Sequence, residues 1–276
     1  MLEIFQYDFM QKALISALIV AVMCPLLGMF IVLRKQSLIG DGLGHAAFAG
    51  VTGGYLLGFY PIIGAFVFTI LGAVGIELVR RKNNAYADMG LAIFFYAGMA
   101  LAIIFSSIIR IPSASLLGFL FGSILTVNLF DILIIVVCAI LTISFITTYY
   151  HKLMLITFNE DVAKVAGINT NALNMTLSII TALVVSASML VVGVLLVSAL
   201  MIIPVAAARQ LETGFRATLF YAIIIAIISV ISGLTLSFYF DVAPGGCIIL
   251  NATFIYFSLL GLSYFWKKHK FKTINF

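Results

Sequence analysis

Long apolar runs, interrupted by short clusters of polar and charged residues, make up almost the whole chain. The runs last about 20 residues, which is the length of α-helix that crosses a bilayer. They do not alternate apolar with polar positions, as the strands of a membrane barrel would. The pattern predicts spanning helices at 12–33, 38–58, 61–79, 89–107, 129–149, 171–190, 192–208, 216–238 and 246–265.

The segment 171–208 decides the number of spans. It offers 38 residues for two crossings that together need about 40. Gly193 lies near its middle and Pro204 near its end, so two short helices and one broken element are both compatible with the sequence. We therefore predict eight or nine spans. Residues 112–127 are too few to span comfortably and are expected to be interfacial or re-entrant.

The composition supports a chain that lies entirely in lipid. Hydrophobic residues make up 64% of it and charged residues 9%, whereas a soluble domain has about 25% charged residues. We expect an all-α fold, a polytopic integral membrane helical bundle with Gly- and Ala-rich packing, formed as a single domain over residues 1–276. The three cysteines lie in apolar runs without metal or disulfide spacing and are expected to be small buried hydrophobes.

The net charge of +5 follows the positive-inside rule and does not indicate a nucleic-acid partner. If the C-terminal WKKHKFK tail is cytoplasmic and there are nine spans, 13 of the 15 Lys and Arg residues fall inside. Lys12 and Arg110 are then the two outside, and the N-terminus is outside as well. Glu77, close to Arg80 and Arg81, is interpreted as part of a solvated helix end.

Two ionisable residues lie close together within the second predicted span, in the stretch SLIGDGLGHAAFAG. Asp41 and His45 are four residues apart and therefore share one helix face. The neighbouring stripe consists of small residues at the same spacing, Gly42, Ala46, Gly50, Gly54 and Gly58. Small stripes let helices approach closely in membranes. We expect this helix to be packed inside the protein, with the pair facing a seam or a cavity.

Two interpretations of the pair remain open. Asp41 near a helix start would complement the helix dipole, and His45 would then hydrogen-bond a neighbour. Ionisable groups in lipid are costly, roughly 2.5–3.5 kcal/mol for an Asp at a span centre, and are usually functional. A carboxylate with an imidazole suits a divalent transition metal. Two copies in a symmetric dimer would supply four ligands, which suits tetrahedral zinc, whereas manganese would need water or carbonyl oxygens to complete six.

A cytoplasmic segment at about 151–170 contains the sequence FNEDVAKVAGINTN. Asn159 is suited to cap a short helix, and Gly167 is placed to end it. Val162, Val165 and Ala166 form an apolar face. Such an amphipathic helix either lies in a groove of a partner protein or is an ordinary interfacial helix.

Three stretches together resemble one family. They are LRKQSLIGDGLGHAAFAGV at 33–51, FNEDVAKVAGI at 158–168 and VGVLLVSALMIIPVAAARQL at 192–211. In this order they resemble the permease subunit of bacterial ATP-binding-cassette importers for zinc and manganese, and the resemblance covers essentially the whole chain. The position before the histidine is commonly Ser in that family and is Gly44 here, so a hydroxyl contact at that position is not expected.

The resemblance implies a function and partners. Asp41 and His45 match the metal-binding pair of the translocation path. The segment that docks onto the ATPase matches Phe158, Asn159, Glu160, Asp161, Val162, Ala163, Lys164, Val165, Ala166 and Gly167. The family works as a permease pair with two cytoplasmic ATP-binding subunits, fed by an extracellular metal-binding lipoprotein, in the cell membrane. Zn²⁺ or Mn²⁺ is then cargo, with zinc favoured, and no tightly bound cofactor is expected.

Two other functions were weighed from the residues. A proton-coupled secondary metal carrier could use an Asp–His pair without any ATPase. An intramembrane metalloprotease would need a cluster of three ligands such as H-E-x-x-H, which the chain lacks. The chain also lacks a G-x-x-x-x-G-K-[ST] phosphate loop. We therefore expect a transport subunit that is not an enzyme, has no catalytic residues and depends on a separate ATPase.

Overall fold

The computed structural model describes residues 7–82, 87–109, 118–122 and 127–274. These residues form a bundle of α-helices, as the apolar runs predict. The helices are α1 (Asp8–Leu33), α2 (Ile39–Leu57), α3 (Pro61–Lys82), α4 (Ala87–Ile109), α5 (Leu129–Phe158), α6 (Glu160–Val165), α7 (Thr170–Val192), α8 (Val194–Arg209), α9 (Phe215–Phe240) and α10 (Pro244–Ile274).

The number of spans differs from the prediction of eight or nine. Seven helices among the described residues are long and apolar enough to cross a membrane. The second and seventh predicted spans are not among them. Helix α2 is rich in glycine and carries Asp41 and His45, which lowers its hydropathy, and α8 has only 16 residues. The expected interfacial segment 112–127 lies largely outside the described residues, and only 118–121 are seen as a helical turn.

The uncertain segment 171–208 forms two helices that break at Gly193. This residue has φ of 82° and ψ of 157°, a conformation that is essentially restricted to glycine. The cytoplasmic segment expected at about 151–170 is mostly helical, because α5 continues without a break to Phe158. Helix α5 therefore leads directly into residues 158–167, the segment predicted to dock onto an ATPase (the coupling segment).

The core is formed by helices that contact several neighbours. Helices α1 and α7 are the most buried of the long helices, whereas α4 and α10 are the least buried. Helix α1 packs against α5, α8 and α9, with Phe30 and Leu27 fully buried in the main apolar cluster. Helix α2 packs chiefly against α3 and α4 and also contacts α7 and α8. The predicted metal pair thus lies on a helix enclosed by four others.

Candidate functional site

Helix α2 is held by close backbone contacts along its small stripe. A Cβ at Gly50 would collide with the backbone of Gly64 on α3, and a Cβ at Gly64 would collide with Gly50. A Cβ at Gly72 of α3 would contact Ala46 at 3.4 Å. The predicted close approach of small residues is therefore confirmed. Gly58 is the exception, since it is the C-cap of α2 and has no neighbour within 4 Å of a Cβ placed there.

The face of α2 that carries His45 is directed toward α4. The His45 ring meets the Phe95 ring edge-on, with centroids 4.5 Å apart. One turn further along α4, a Cβ at Gly98 would lie 2.9 Å from both the His45 carbonyl carbon and the Ala46 nitrogen. The backbones of α2 and α4 thus approach closely at His45, whose ring packs against Phe95.

His45 is a buried histidine with an unfilled hydrogen-bonding position. Its residue is 8% exposed, and Nδ1 has no hydrogen-bond partner among the described residues. Leaving a buried polar group without a partner costs roughly 1–3 kcal/mol. The alternative interpretation, in which His45 hydrogen-bonds a neighbour, therefore does not hold for Nδ1. This nitrogen is available to a ligand.

Asp41 lies in the first turn of α2 and is only half-buried. Helix α2 begins at Ile39, so Asp41 is near the end of the bundle where α1 ends at Leu33. Within the described part of the chain, no group of three or more His, Cys, Asp or Glu side chains is arranged to hold a metal ion. Asp41 and His45 are therefore not joined by a third such side chain among these residues.

Aromatic rings lie between the pair and the opposite end of α2. Phe119, in the helical turn at 118–121, has its ring centroid 6.4 Å from that of Phe48 and 6.3 Å from that of Tyr55. Twelve residues separate His45 from Leu57, which is about 18 Å along a helix axis. Phe119 therefore packs against the part of α2 that follows His45.

The second candidate site, the coupling segment, is built as a capped short helix. The side chain of Asn159 accepts hydrogen bonds from the backbone N–H groups of Asp161 and Val162, both at 3.1 Å. Gly167 ends the helix with φ of 76°, and the N–H groups of Gly167 and Ile168 donate to carbonyls of the last turn. This is a Schellman motif. Both the predicted cap and the predicted end are confirmed.

The apolar face of the coupling helix is exposed. Val165 is 92% exposed and Val162 50%, whereas Ala163 is fully buried and seats the helix against the bundle. Phe158, at the end of α5, is 63% exposed. Exposed apolar side chains of this kind are typical of surfaces that contact a partner. They lie at the end of the bundle that carries Arg34, Arg80 and Lys164, not along the sides of the spanning helices.

One charged cluster was missed by the sequence interpretation. Glu77, expected at a solvated helix end, is only 2% exposed and receives two hydrogen bonds from Arg80 at 2.8 and 2.9 Å. A third nitrogen of Arg80 reaches Glu160 of the coupling helix. Glu77 and Arg80 are three residues apart and therefore neighbours on one helix face, but nothing local indicated burial or the contact with residue 160.

Relatives of known name cover nearly the whole chain. The manganese transport system membrane protein MntC of Listeria innocua is 35% identical over 254 residues, which are 92% of this chain and 90% of that protein. The high-affinity zinc uptake system membrane protein ZnuB of Haemophilus influenzae is 30% identical over 250 residues, 91% of this chain and 96% of that protein. The similarity therefore extends to proteins named for both metals.

A solved structure and a family model agree with these relatives. The chain is similar to PsaBC from Streptococcus pneumoniae, solved in complex with Fab, with a TM-score of 0.82 and 30% sequence identity over 93% of this chain and 92% of that one. The model of the ABC 3 transport family matches residues 6–263. The resemblance stated from the three sequence stretches is confirmed, and the chain belongs to the ABC 3 transport family.

Proposed function

We propose that this chain is the membrane permease subunit of an ATP-binding-cassette importer for divalent transition metal ions, and that Asp41 and His45 hold the ion in transit. The observation that carries the proposal is the enclosed His45, whose Nδ1 has no partner among the described residues. Asp41 lies on the same face one turn away. Membership in the ABC 3 transport family supports the class of cargo and motor.

The pair supplies the ligand types that a transition metal takes. A neutral imidazole donates a lone pair to zinc or manganese, and a carboxylate also balances the positive charge. Because the described part of the chain offers these two ligands, we place the working site between two copies of the chain, which together provide two nitrogens and two oxygens. This set fits tetrahedral zinc, so zinc is the proposed cargo in preference to manganese.

The exposed coupling helix supplies the connection to the motor. Phe158, Val162 and Val165 present apolar surface, and an amphipathic helix of this kind docks into a groove of a partner. The partner is a cytoplasmic ATP-binding subunit, one for each permease copy. An extracellular metal-binding lipoprotein delivers the ion from the other side of the cell membrane. ATP binding and hydrolysis then open the path inward, with the C-terminus in the cytoplasm.

Family membership also weighs against the proton-coupled carrier. A secondary carrier has no ATPase to bind and therefore does not need a capped helix on which Val165 is 92% exposed. In the ATP-driven mechanism that surface contacts the ATPase. The Asp41–His45 pair, in contrast, is compatible with both mechanisms. The coupling helix is therefore the feature that separates the two functions.

The test is the zinc and manganese content of cells that lack this chain, grown under metal limitation. Complementation with the wild type should restore one metal, whereas Asp41→Ala and His45→Ala should fail at equal membrane levels. A wild-type chain that restores neither metal would overturn the proposed function. Variants that restore uptake as well as the wild type would make the pair structural.

A further inference from the structure

Arg80 connects two parts of the molecule that have different tasks. Its Nε and Nη2 donate to the two carboxylate oxygens of Glu77 on the same helix, at 2.9 and 2.8 Å. Its Nη1 donates to Oε2 of Glu160 at 3.3 Å. Glu160 is the first residue of the coupling helix α6. One guanidinium therefore bridges α3 and α6, using all three of its nitrogens.

This contact joins the coupling helix by an ion pair to α3, the neighbour of the helix that carries the metal pair. Helix α6 packs against α5 and α7. Among the described residues, the Arg80–Glu160 contact is the one ion pair that joins α6 to another helix. Helix α3 packs closely against α2 along the Gly50–Gly64 contact. Helix α3 is thus connected to α6 by an ion pair and to α2 by close backbone contact.

The burial of these charges argues against a role in stability alone. The side chains of Glu77 and Arg80 are 3% and 9% exposed, and that of Glu160 is 25% exposed. Taking such a pair out of water costs free energy that its attraction only partly offsets, and apolar residues in its place are often as stable or more stable. Glu160 would also suit the helix N-terminus without Arg80.

A neighbouring arginine belongs to the same charged region. Arg34, directly after α1, donates to Thr157 at 3.2 Å and to Asn174 at 2.7 Å. Burial, followed by the positive charge of Arg80, lowers the pKa of Arg34 to about 10. Its Nη2 and the Nδ2 of Asn174 are buried without partners among the described residues. A polar network left partly unsatisfied is not arranged for maximum stability.

We propose that Arg80 is a positioning residue that transmits movement of the coupling helix to α3 and so to the Asp41–His45 pair. The inference rests on the proposed function, because it presupposes an ATPase docked on α6. Its consequence is quantitative: the Arg80–Glu160 contact sets how many metal ions are moved for each ATP hydrolysed. Neither metal binding nor ATP hydrolysis by itself depends on it.

The test uses the complete transporter, reconstituted in proteoliposomes with its ATPase and binding protein. Arg80→Lys keeps a positive charge beside Glu77, but a single ammonium cannot also reach Glu160 in the same geometry. Metal transported per ATP should fall by between about two- and thirtyfold, the range over which coupling residues act. The KM for metal and the ATPase rate should stay at wild-type values.

Arg81→Lys is the matched control. Arg81 contacts Glu77 and the backbone carbonyl of Asn171, is partly exposed and has no contact with Glu160 among the described residues. The same substitution there should leave metal per ATP unchanged. Glu160→Ala removes the contact from the other side, and combining it with Arg80→Lys should give no further loss, because both variants break the same contact between residues 80 and 160.

Several results would overturn the inference. Metal per ATP at the wild-type level in Arg80→Lys would do so, as would losses that add in the double variant. If Arg80→Lys does not fold, an unchanged ratio in Glu160→Ala decides against it. If the proposed function itself were wrong, the wild-type complex would move neither zinc nor manganese. Normal transport of either metal by the wild type therefore shows that only the inference about Arg80 has failed.

Discussion

Gly98→Ala should disturb the site at His45 without adding any polar or charged group. The new Cβ would lie 2.9 Å from the His45 carbonyl carbon and from the Ala46 nitrogen, and ordinary contact begins at 3.4 Å. Because both atoms belong to the backbone, α4 and α2 must separate by about 0.5 Å or more at this point. Overpacking of this kind costs about 1–3 kcal/mol.

The assay has two readouts, unfolding of the purified chain in detergent and metal uptake by the reconstituted transporter. Gly98→Ala should lower the free energy of unfolding and reduce uptake, since the His45 ring is displaced from Phe95 and from its place beside Asp41. Gly42→Ala is the control, because its Cβ would meet its nearest neighbour, a Leu91 oxygen, at 3.6 Å. If both variants were equally stable and active, the close α2–α4 contact would be refuted.

Three further variants test the break between α7 and α8 and the coupling helix. Gly193→Ala places a side chain in a conformation with φ of 82°, at a cost of about 1–3 kcal/mol. The thermal unfolding of this variant should therefore begin at a lower temperature, and an unchanged unfolding temperature would contradict the break between α7 and α8 at Gly193. Asn159→Ala removes the helix cap, which is worth about 1 kcal/mol. Amide hydrogen exchange at 160–165 should then be faster than in the wild type while exchange in α7 is unchanged, and wild-type exchange rates at 160–165 would refute the contribution of the cap. Val165→Asp should leave unfolding unchanged, since Val165 is 92% exposed, and should abolish co-purification with the ATPase; retained association would exclude this surface as the docking site.

Local patterns were sufficient for much of the fold. The small stripe of α2 predicted close helix contacts, and the cap at Asn159 and the turn at Gly167 followed from their own residue types. The break at Gly193 was one of two alternatives left open, because the length of 171–208 alone did not separate them. These features depend on residues within a few positions of each other, which is why the sequence carries them.

Long-range contacts were not predictable in the same way. Glu77 was expected in water, but in the structure it is buried and Arg80 donates hydrogen bonds to both of its carboxylate oxygens. Arg80 also donates to Glu160, which lies 80 residues further along the chain. The edge contact between His45 and Phe95 likewise depends on how α4 packs on α2. Within the described residues no third ligand joins Asp41 and His45, so the proposed site with four ligands concerns a second copy and could not be checked within one chain.

Uptake of radioactive zinc and manganese by proteoliposomes that contain the full transporter tests the central claim most directly. His45→Ala should lose ATP-dependent uptake, whereas His151→Ala, which removes an exposed histidine near the end of α5, should keep it. Retained uptake in His45→Ala would contradict the account, because the buried imidazole would then have no part in moving the ion.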